Sequence, residues 1–82
     1  MARYYLHLCD GIFETRDTEG TECADLDQVS SAVLRNARDL IAGDARRGDV
    51  DLGYRIDAEN EEGEVVYSLP LREAVTITRG EA

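Results

Sequence analysis

Apolar and polar positions alternate in two separate stretches of the chain, and between them apolar residues recur at helical spacing. The first stretch, Tyr4-Tyr5-Leu6-His7-Leu8-Cys9, is rich in aromatic residues and leucine and runs into Asp10-Gly11. That dipeptide favours a two-residue type I′ turn, in which both central positions take φ > 0. Such a turn pairs Cys9 with Ile12, Leu8 with Phe13, His7 with Glu14, Leu6 with Thr15 and Tyr5 with Arg16. One face then collects Tyr4, Leu6, Leu8, Phe13 and Thr15. The other collects Tyr5, His7, Cys9, Ile12, Glu14 and Arg16.

Asp17 to Glu22 reads as a polar loop around Gly20, and Thr21-Glu22-Cys23-Ala24 as a brief extended segment. Asp25 is a good N-cap, with Gln28 three residues later. From there Leu26, Val29, Val33, Ala37, Leu40 and Ile41 keep to one side of a helix for about four turns. Arg46 and Arg47 sit where the helix dipole favours cations, and Gly48 suits a left-handed C-terminal residue. Gly43 weakens the helix by up to ~1 kcal/mol relative to Ala, which the burial of five large apolar side chains outweighs.

After a connector at 49–53, Tyr54-Arg55-Ile56-Asp57-Ala58-Glu59 alternates strictly. A turn at Asn60-Glu61-Glu62-Gly63 follows, and Glu64-Val65-Val66-Tyr67-Ser68-Leu69 returns. A loop of two or four residues puts Tyr54, Ile56, Ala58, Val65, Tyr67 and Leu69 on one face. Arg55, Asp57, Glu59, Glu64, Val66 and Ser68 then share the other. Pro70 stops the strand and opens a short helical turn with Leu71 and Val75 at i and i+4. From Thr78 the chain is expected to fray.

The order is ββαββ. Two one-sided hairpins and one amphipathic helix satisfy their apolar faces together as an α+β two-layer sandwich, the helix packed on a small antiparallel sheet. Eighty-two residues make a single domain, 1–82, with residues 3–77 as its ordered core. No apolar run approaches the ~20 residues that a membrane-crossing helix needs. The start lacks an uninterrupted apolar segment of the secretory kind, so the expected location is cytoplasmic.

The opening Tyr4-Tyr5-Leu6-His7-Leu8, Asp10-Gly11 and the following Asp17-Thr18-Glu19-Gly20-Thr21-Glu22 resemble a family of small bacterial proteins classed as a domain of unknown function. Leu34-Arg35-Asn36-Ala37-Arg38-Asp39-Leu40 and Leu69-Pro70-Leu71-Arg72-Glu73-Ala74-Val75 are similar to it too. The resemblance covers about residues 3 to 77. It implies a bacterial origin and a single small domain, and it brings no activity with it. Cys9 and Cys23 depart from that family's pattern, which argues against a shared thiol chemistry.

The formal charge is −9, and all nine basic residues are Arg. Residues 26–47 hold four Arg against three Asp, a balance of +1, so the remainder carries −10. Such a chain repels phosphate backbones, so no nucleic-acid partner is expected. The acidic surface is either simply solvated or a face for a basic partner. Cys9 and Cys23 are expected as free, partly buried thiols.

Candidate chemistry is sparse. His7, the single histidine, faces Glu14 in this register, with Cys9 two residues away, so His7 as base, Glu14 as its orienting group and Cys9 as nucleophile form a weak catalytic candidate. A cross-strand His–Glu contact is the simpler account. A zinc site needs about four ligands, and His7, Cys9, Cys23 and Asp10 lack the usual spacing, so no metal is expected. The acidic loops at 17–20 and 57–63 place Gly wrongly for an EF-hand. No GxGxxG, P-loop or GxSxG occurs, so no cofactor is expected.

A single helix leaves the sheet's other side uncovered. Tyr5, His7, Ile12, Arg16, Arg55 and Val66 there form a candidate interface, most simply that of a two-fold homodimer. The leading expectation is a non-enzymatic interaction module acting through that face or its acidic rim. A small enzyme or redox protein using His7 and Cys9 is one alternative. An antitoxin-like acidic partner of a basic protein is another.

Overall fold

The computed structural model describes residues 1–80. It is an α+β fold in which one long helix lies on an antiparallel sheet of five strands. The strands are β1 (Ala2–Cys9), β2 (Glu14–Thr15), β3 (Thr21–Cys23), β4 (Arg55–Glu59) and β5 (Val65–Pro70). The helix α1 spans Leu26–Arg47, and a single 3-10 turn, Leu71–Glu73, follows β5. β1 is central: it pairs with β4 on one side, while β2 and β3 pair end to end along its other side.

The helix begins and ends where its caps require. Asp25 accepts the Gln28 amide at 2.9 Å, and Gln28 reaches back to the Ala24 amide at 2.7 Å. At the other end Gly48 takes φ 81°, and the amides of Gly48 and Asp49 bond the carbonyls of Ala45 and Asp44. This double closure satisfies carbonyls that would otherwise lack partners, and Gly takes the left-handed position at no steric cost. Gly43 does not end the helix.

Val29, Val33 and Ala37 bury one stripe of α1 against Ile56, Ala58, Leu69 and Cys23. Leu71 and Ala74 close one end of this core, where Arg38 Nε donates to the Ala74 carbonyl at 2.9 Å. The stripe does not stay buried along its whole length. Leu26 is 56% and Leu40 38% exposed. A helix of 22 residues is ~33 Å long, whereas strands of five to eight residues reach ~17–27 Å, so the helix is longer than the strands beneath it.

The first hairpin departs from the expected register by two residues. Cys9 faces Glu14 and Leu8 faces Thr15. Only Gly11 takes a positive φ here, because the Asp10 carboxylate offers the backbone another solution. Its Oδ1 accepts the amides of Ile12 (2.8 Å) and Phe13 (2.7 Å) and holds a four-residue loop. An even shift preserves face parity, so Leu6, Leu8 and Thr15 still share the helix side. Phe13, expected in the core, is expelled to the tip at 76% exposure, beside Ile12 at 85%.

The second hairpin contains two irregularities that offset each other. Its loop has an odd number of residues, Glu61 to Gly63, closed by bonds between Asn60 and Glu64 and by Gly63 at φ 84°. An odd loop reverses parity. A bulge then restores it, since Glu59 pairs with Val65 but Ala58 pairs with Tyr67. Between the loop and the bulge the faces are exchanged. Val65 is 54% exposed instead of buried, and Val66 packs on the core instead of facing away.

Two further details differ from expectation. Residues 21–23 form a true fifth strand paired with β1. The 3-10 turn ends at Glu73, short of Val75, and residues 75–80 carry no helix or strand. The expectation of fraying from Thr78 extends to residues 81–82, which lie outside the described residues. No helix among the described residues is long and apolar enough to cross a membrane.

Candidate functional site

The sheet face away from α1 carries the residues first considered for chemistry. His7 and Cys9 both lie there and both are buried, at 3% and 4% exposure, although no second layer covers this side. The loop between β2 and β3 supplies the cover for His7. The Asp17 amide donates to His7 Nδ1 at 3.0 Å, and Nε2 lies 3.7 Å from a Glu59 carboxylate oxygen. The Arg16 guanidinium lies 3.3 Å from Nε2 as a lid, and Tyr5 lies parallel to the imidazole at 6.5 Å.

Asp17 ties this loop to the strand. Its Oδ2 accepts the Leu6 amide at 3.1 Å, and its Oδ1 accepts the amides of Glu19 and Gly20, each at 3.1 Å. The carboxylate thus fills the gap in the edge between β2 and β3, where no backbone carbonyl serves Leu6. Partial burial pulls the Asp17 pKa upward, but these three amides outweigh it and hold the carboxyl below its usual range. Gly20 packs so close that a Cβ there would stand 2.8 Å from Arg3 Cγ and 3.0 Å from the Tyr5 ring. His7, Asp17 and Gly20 therefore act together to fasten a loop.

Cys9 sits among carboxylates. Its Sγ is 3.6 Å from Asp57 and 3.7 Å from Glu14. Burial first, then the charges of Asp57 and Glu14, push the thiol up to about 11. Roughly one thiol in 10⁴ is ionised at pH 7 under those conditions, and the thiolate is the form that reacts. Glu14 does not face His7. It is paired with Arg16, and across the strands it stands opposite Cys9. Cys23 is buried on the helix side of the sheet, and both cysteines are free.

The rest of this face is charged and paired internally. Arg55 Nε reaches Asp57 at 3.0 Å, Ser68 also bonds Asp57, and Arg16 spans Glu14 and Glu59. Burial opposes ionisation of Asp57, but the Arg55 and Ser68 bonds prevail and keep it below the usual carboxylate range. Of the residues expected as an interface, Arg16 and Arg55 are exposed here and Tyr5 is partly buried, while His7 is covered. Ile12 lies at the hairpin tip, and Val66 packs against the core. They do not form one apolar patch. No group of three or more His, Cys, Asp or Glu suited to a metal ion occurs among the described residues.

A different surface is open. Between α1 and the β1–β2 edge lies a groove of about 440 Å³, floored by Leu6, Leu8, Ile56 and Leu40, with Asn36 and Asp39 on one rim and Arg16 and Asp17 on the other. It exists because β2 is only two residues long and α1 packs on β4, β5 and β3. The leucines of β1 are therefore only partly covered. Phe13 is two residues along the chain from Thr15, which also lines the groove, while Ile12 and Phe13 themselves border a smaller hollow with Cys9, Glu14 and Arg55. Sequence periodicity places Leu6 and Leu8 on the helix side but does not tell how far the helix reaches across them.

The residues that fasten the loop, 7, 17 and 20, fall inside the match to a family model that spans residues 3–72. The chain belongs to the DUF6894 family, a domain of unknown function. That match takes in every strand, the helix and the start of the 3-10 turn. No curated protein and no solved structure matches the chain.

Proposed function

We propose that this DUF6894 protein is a non-enzymatic interaction module, and that it takes an apolar side chain of a protein partner into the groove between α1 and the first hairpin. The observation that carries this reading is an open groove in which Leu6, Leu8 and Leu40 are only partly covered. Concave apolar surface with a few polar rim groups is what recognition of a side chain requires. The outer sheet face suits this role less well, since its charges are already paired and His7 is sealed. The formal charge of −9 adds long-range attraction for a partner with basic flanks.

Site-specific photo-crosslinking in the native host tests the proposal. A cross-linker replacing Asn36 on the groove rim is expected to trap a discrete protein partner, and Leu40→Glu should abolish the adduct. The same cross-linker at exposed Val65, on the far edge of the sheet, should trap none. Absence of an adduct at position 36, or equal adducts at 36 and 65, would remove the groove as the contact surface.

A further inference from the structure

Resting on the interaction reading above, we infer that His7 is a proton-sensitive latch for one rim of the groove. The neutral imidazole holds Arg16 and Asp17 in place, and its protonation releases them. These two residues open the loop that passes around the edge of the sheet. On the outer face the Asp17 amide is fastened to His7 Nδ1 at 3.0 Å, while on the helix side Arg16 and Asp17 line the groove. One short segment thus joins the single histidine to the apolar hollow. Asn36 and Asp39 on the opposite rim belong to α1 and do not depend on that bond. A groove with one rim released grips a side chain less, so a partner is held at neutral pH and let go in acid.

A backbone amide donates only to a nitrogen that carries a lone pair, and the imidazolium has a proton on both nitrogens. Protonation sets two N–H groups against each other at 3.0 Å, too close for water to stand between them. One of the two must move. The ring is the less free, because it is 3% exposed, Tyr5 lies parallel to it, and β4 pairs with the strand that carries it. The loop yields. On the other side Arg16 Nη2 stands 3.3 Å from Nε2 and only donates, so a charged ring repels that guanidinium as well. The Glu59 carboxylate at 3.7 Å and the charge of Asp17 act the opposite way and favour the imidazolium. The site therefore accepts the proton but not the amide bond with it. The other ionisable groups around the ring are Tyr5 and Cys9 on β1, Glu14 on β2, Asp57 on β4 and Glu19 in the loop. Asp17 is held below its usual range and Cys9 is pushed up to about 11, so neither changes charge between about pH 5 and about pH 8, where imidazoles titrate. The bonds from the Asp17 carboxylate to Leu6, Glu19 and Gly20 persist, so release is confined to Arg16 and the Asp17 backbone.

NMR titration of the isotope-labelled full chain from about pH 8 to about pH 5 tests the latch. The two nitrogens of an N–H···N bond are scalar-coupled, so coupling between the Asp17 amide and His7 Nδ1 should be present at high pH and lost as the ring protonates. The Asp17 amide proton should move upfield with the midpoint of the His7 ring protons. The methyl signals of Leu6, Leu8 and Leu40 should shift at that same midpoint. His7→Asn puts a carbonyl oxygen that does not titrate in the place of Nδ1 and should abolish both steps. If that variant fails to fold, the wild-type midpoints decide alone. A His7 ring that titrates while the Asp17 amide stands still would overturn the inference, as would a ring that takes up no proton before the chain unfolds. Leucine methyls that ignore the Asp17 step, or a step that survives in His7→Asn, would overturn it equally. None of these readouts needs a partner. An absent adduct at position 36 would thus remove the interaction reading without touching the titration, and a failed titration would leave the adduct standing.

Discussion

In the first hairpin Asp10 Oδ1 accepts the amides of Ile12 and Phe13; in the second Asn60 Oδ1 accepts those of Glu62 and Glu64. Both loops use a short side chain to satisfy the backbone, and each has a single left-handed glycine, Gly11 and Gly63. What they present is opposite. The second tip is acidic, and its Glu61 carboxylate folds back to accept the Arg3 amide at 3.1 Å. The first tip offers two large apolar side chains to solvent. Since one backbone device tolerates either choice, Ile12 and Phe13 are not explained by folding, which is why function is sought at that end. The hairpins differ in a second respect: β4 and β5 pair continuously through a bulge, whereas the partner of β1 is broken at residues 16–20 and repaired by Asp17.

That repair gives the largest expected effect. Asp17→Ala strips the acceptor from three amides, of which the Leu6 amide is partly buried and held away from water. A charged acceptor bond is worth ~1.5–3 kcal/mol, and an orphaned buried donor costs ~1–3 kcal/mol, so a loss of about 2–4 kcal/mol is expected. Asn60→Ala removes two bonds at an exposed turn, where water replaces them, and should cost about 1 kcal/mol. Urea titration of both variants measures the contrast, and equal losses would mean that the carboxylate is not what closes the broken edge. The effect should also depend on pH. Asp17 is depressed in the folded state, so its contribution is present above the unfolded value of ~3.9 and is lost as pH falls through the folded one. The gap between wild type and Asp17→Ala should therefore narrow in acid.

How much of this was legible follows from where each feature originates. The helix ends were readable because caps are local: Asp25, Gln28 and Gly48 make their bonds within a few residues. The sheet faces were readable because alternation survives any even shift, and the first hairpin shifted by two. The register itself was not, because Asp10-Gly11 suits a type I′ turn as well as the side-chain-closed loop that forms. Val65 and Val66 were misplaced because an odd loop and a bulge are invisible to a pattern of period two. His7 and Cys9 were placed on the correct side of the sheet, but the burial of His7 depends on the 16–20 loop folding over it, and Cys9 is enclosed by Glu14 and Asp57. The groove needed the position of α1 across the sheet, which no local pattern encodes.

Glycine replacement separates backbone strain from crowding when the 16–20 loop is compared with the second hairpin. Gly20 (φ 76°) and Gly63 (φ 84°) share a left-handed backbone, so Ala at either is strained by ~1 kcal/mol or a little more. Only Gly20 is crowded, with the Tyr5 ring and the Arg3 stem at 3.0 and 2.8 Å from a built Cβ, whereas nothing lies within 4 Å at Gly63. We expect Gly63→Ala to cost about 1 kcal/mol and Gly20→Ala about 2–3 kcal/mol, since Tyr5 is held by its neighbours even if Arg3 can swing away. Thermal unfolding of the pair decides this. If the two variants lose the same amount, the loop does not press on β1 as tightly as the contact distances imply.

The smallest effect is local and concerns the tips alone. Asp10 and Asn60 do the same work, but only Asp10 can titrate. The amides of Phe13 and Ile12, in that order, hold the exposed Asp10 carboxyl below its usual value. Protonation removes an ionic acceptor, so the first loop should loosen as pH falls through that depressed value, while the bonds at Asn60 persist. In amide proton spectra, Ile12 and Phe13 should shift together upfield in acid with a midpoint below the unfolded ~3.9. Asp10→Asn should remove that step and leave Glu62 and Glu64 undisturbed. If the Ile12 and Phe13 amides still titrate in Asp10→Asn, the proton is being taken up by a neighbour such as Glu14, and the carboxylate of Asp10 is not what shapes the apolar tip. If the step vanishes and the tip stays closed, an uncharged acceptor suffices there, as it does at Asn60, and the two hairpins differ only in the side chains that they display.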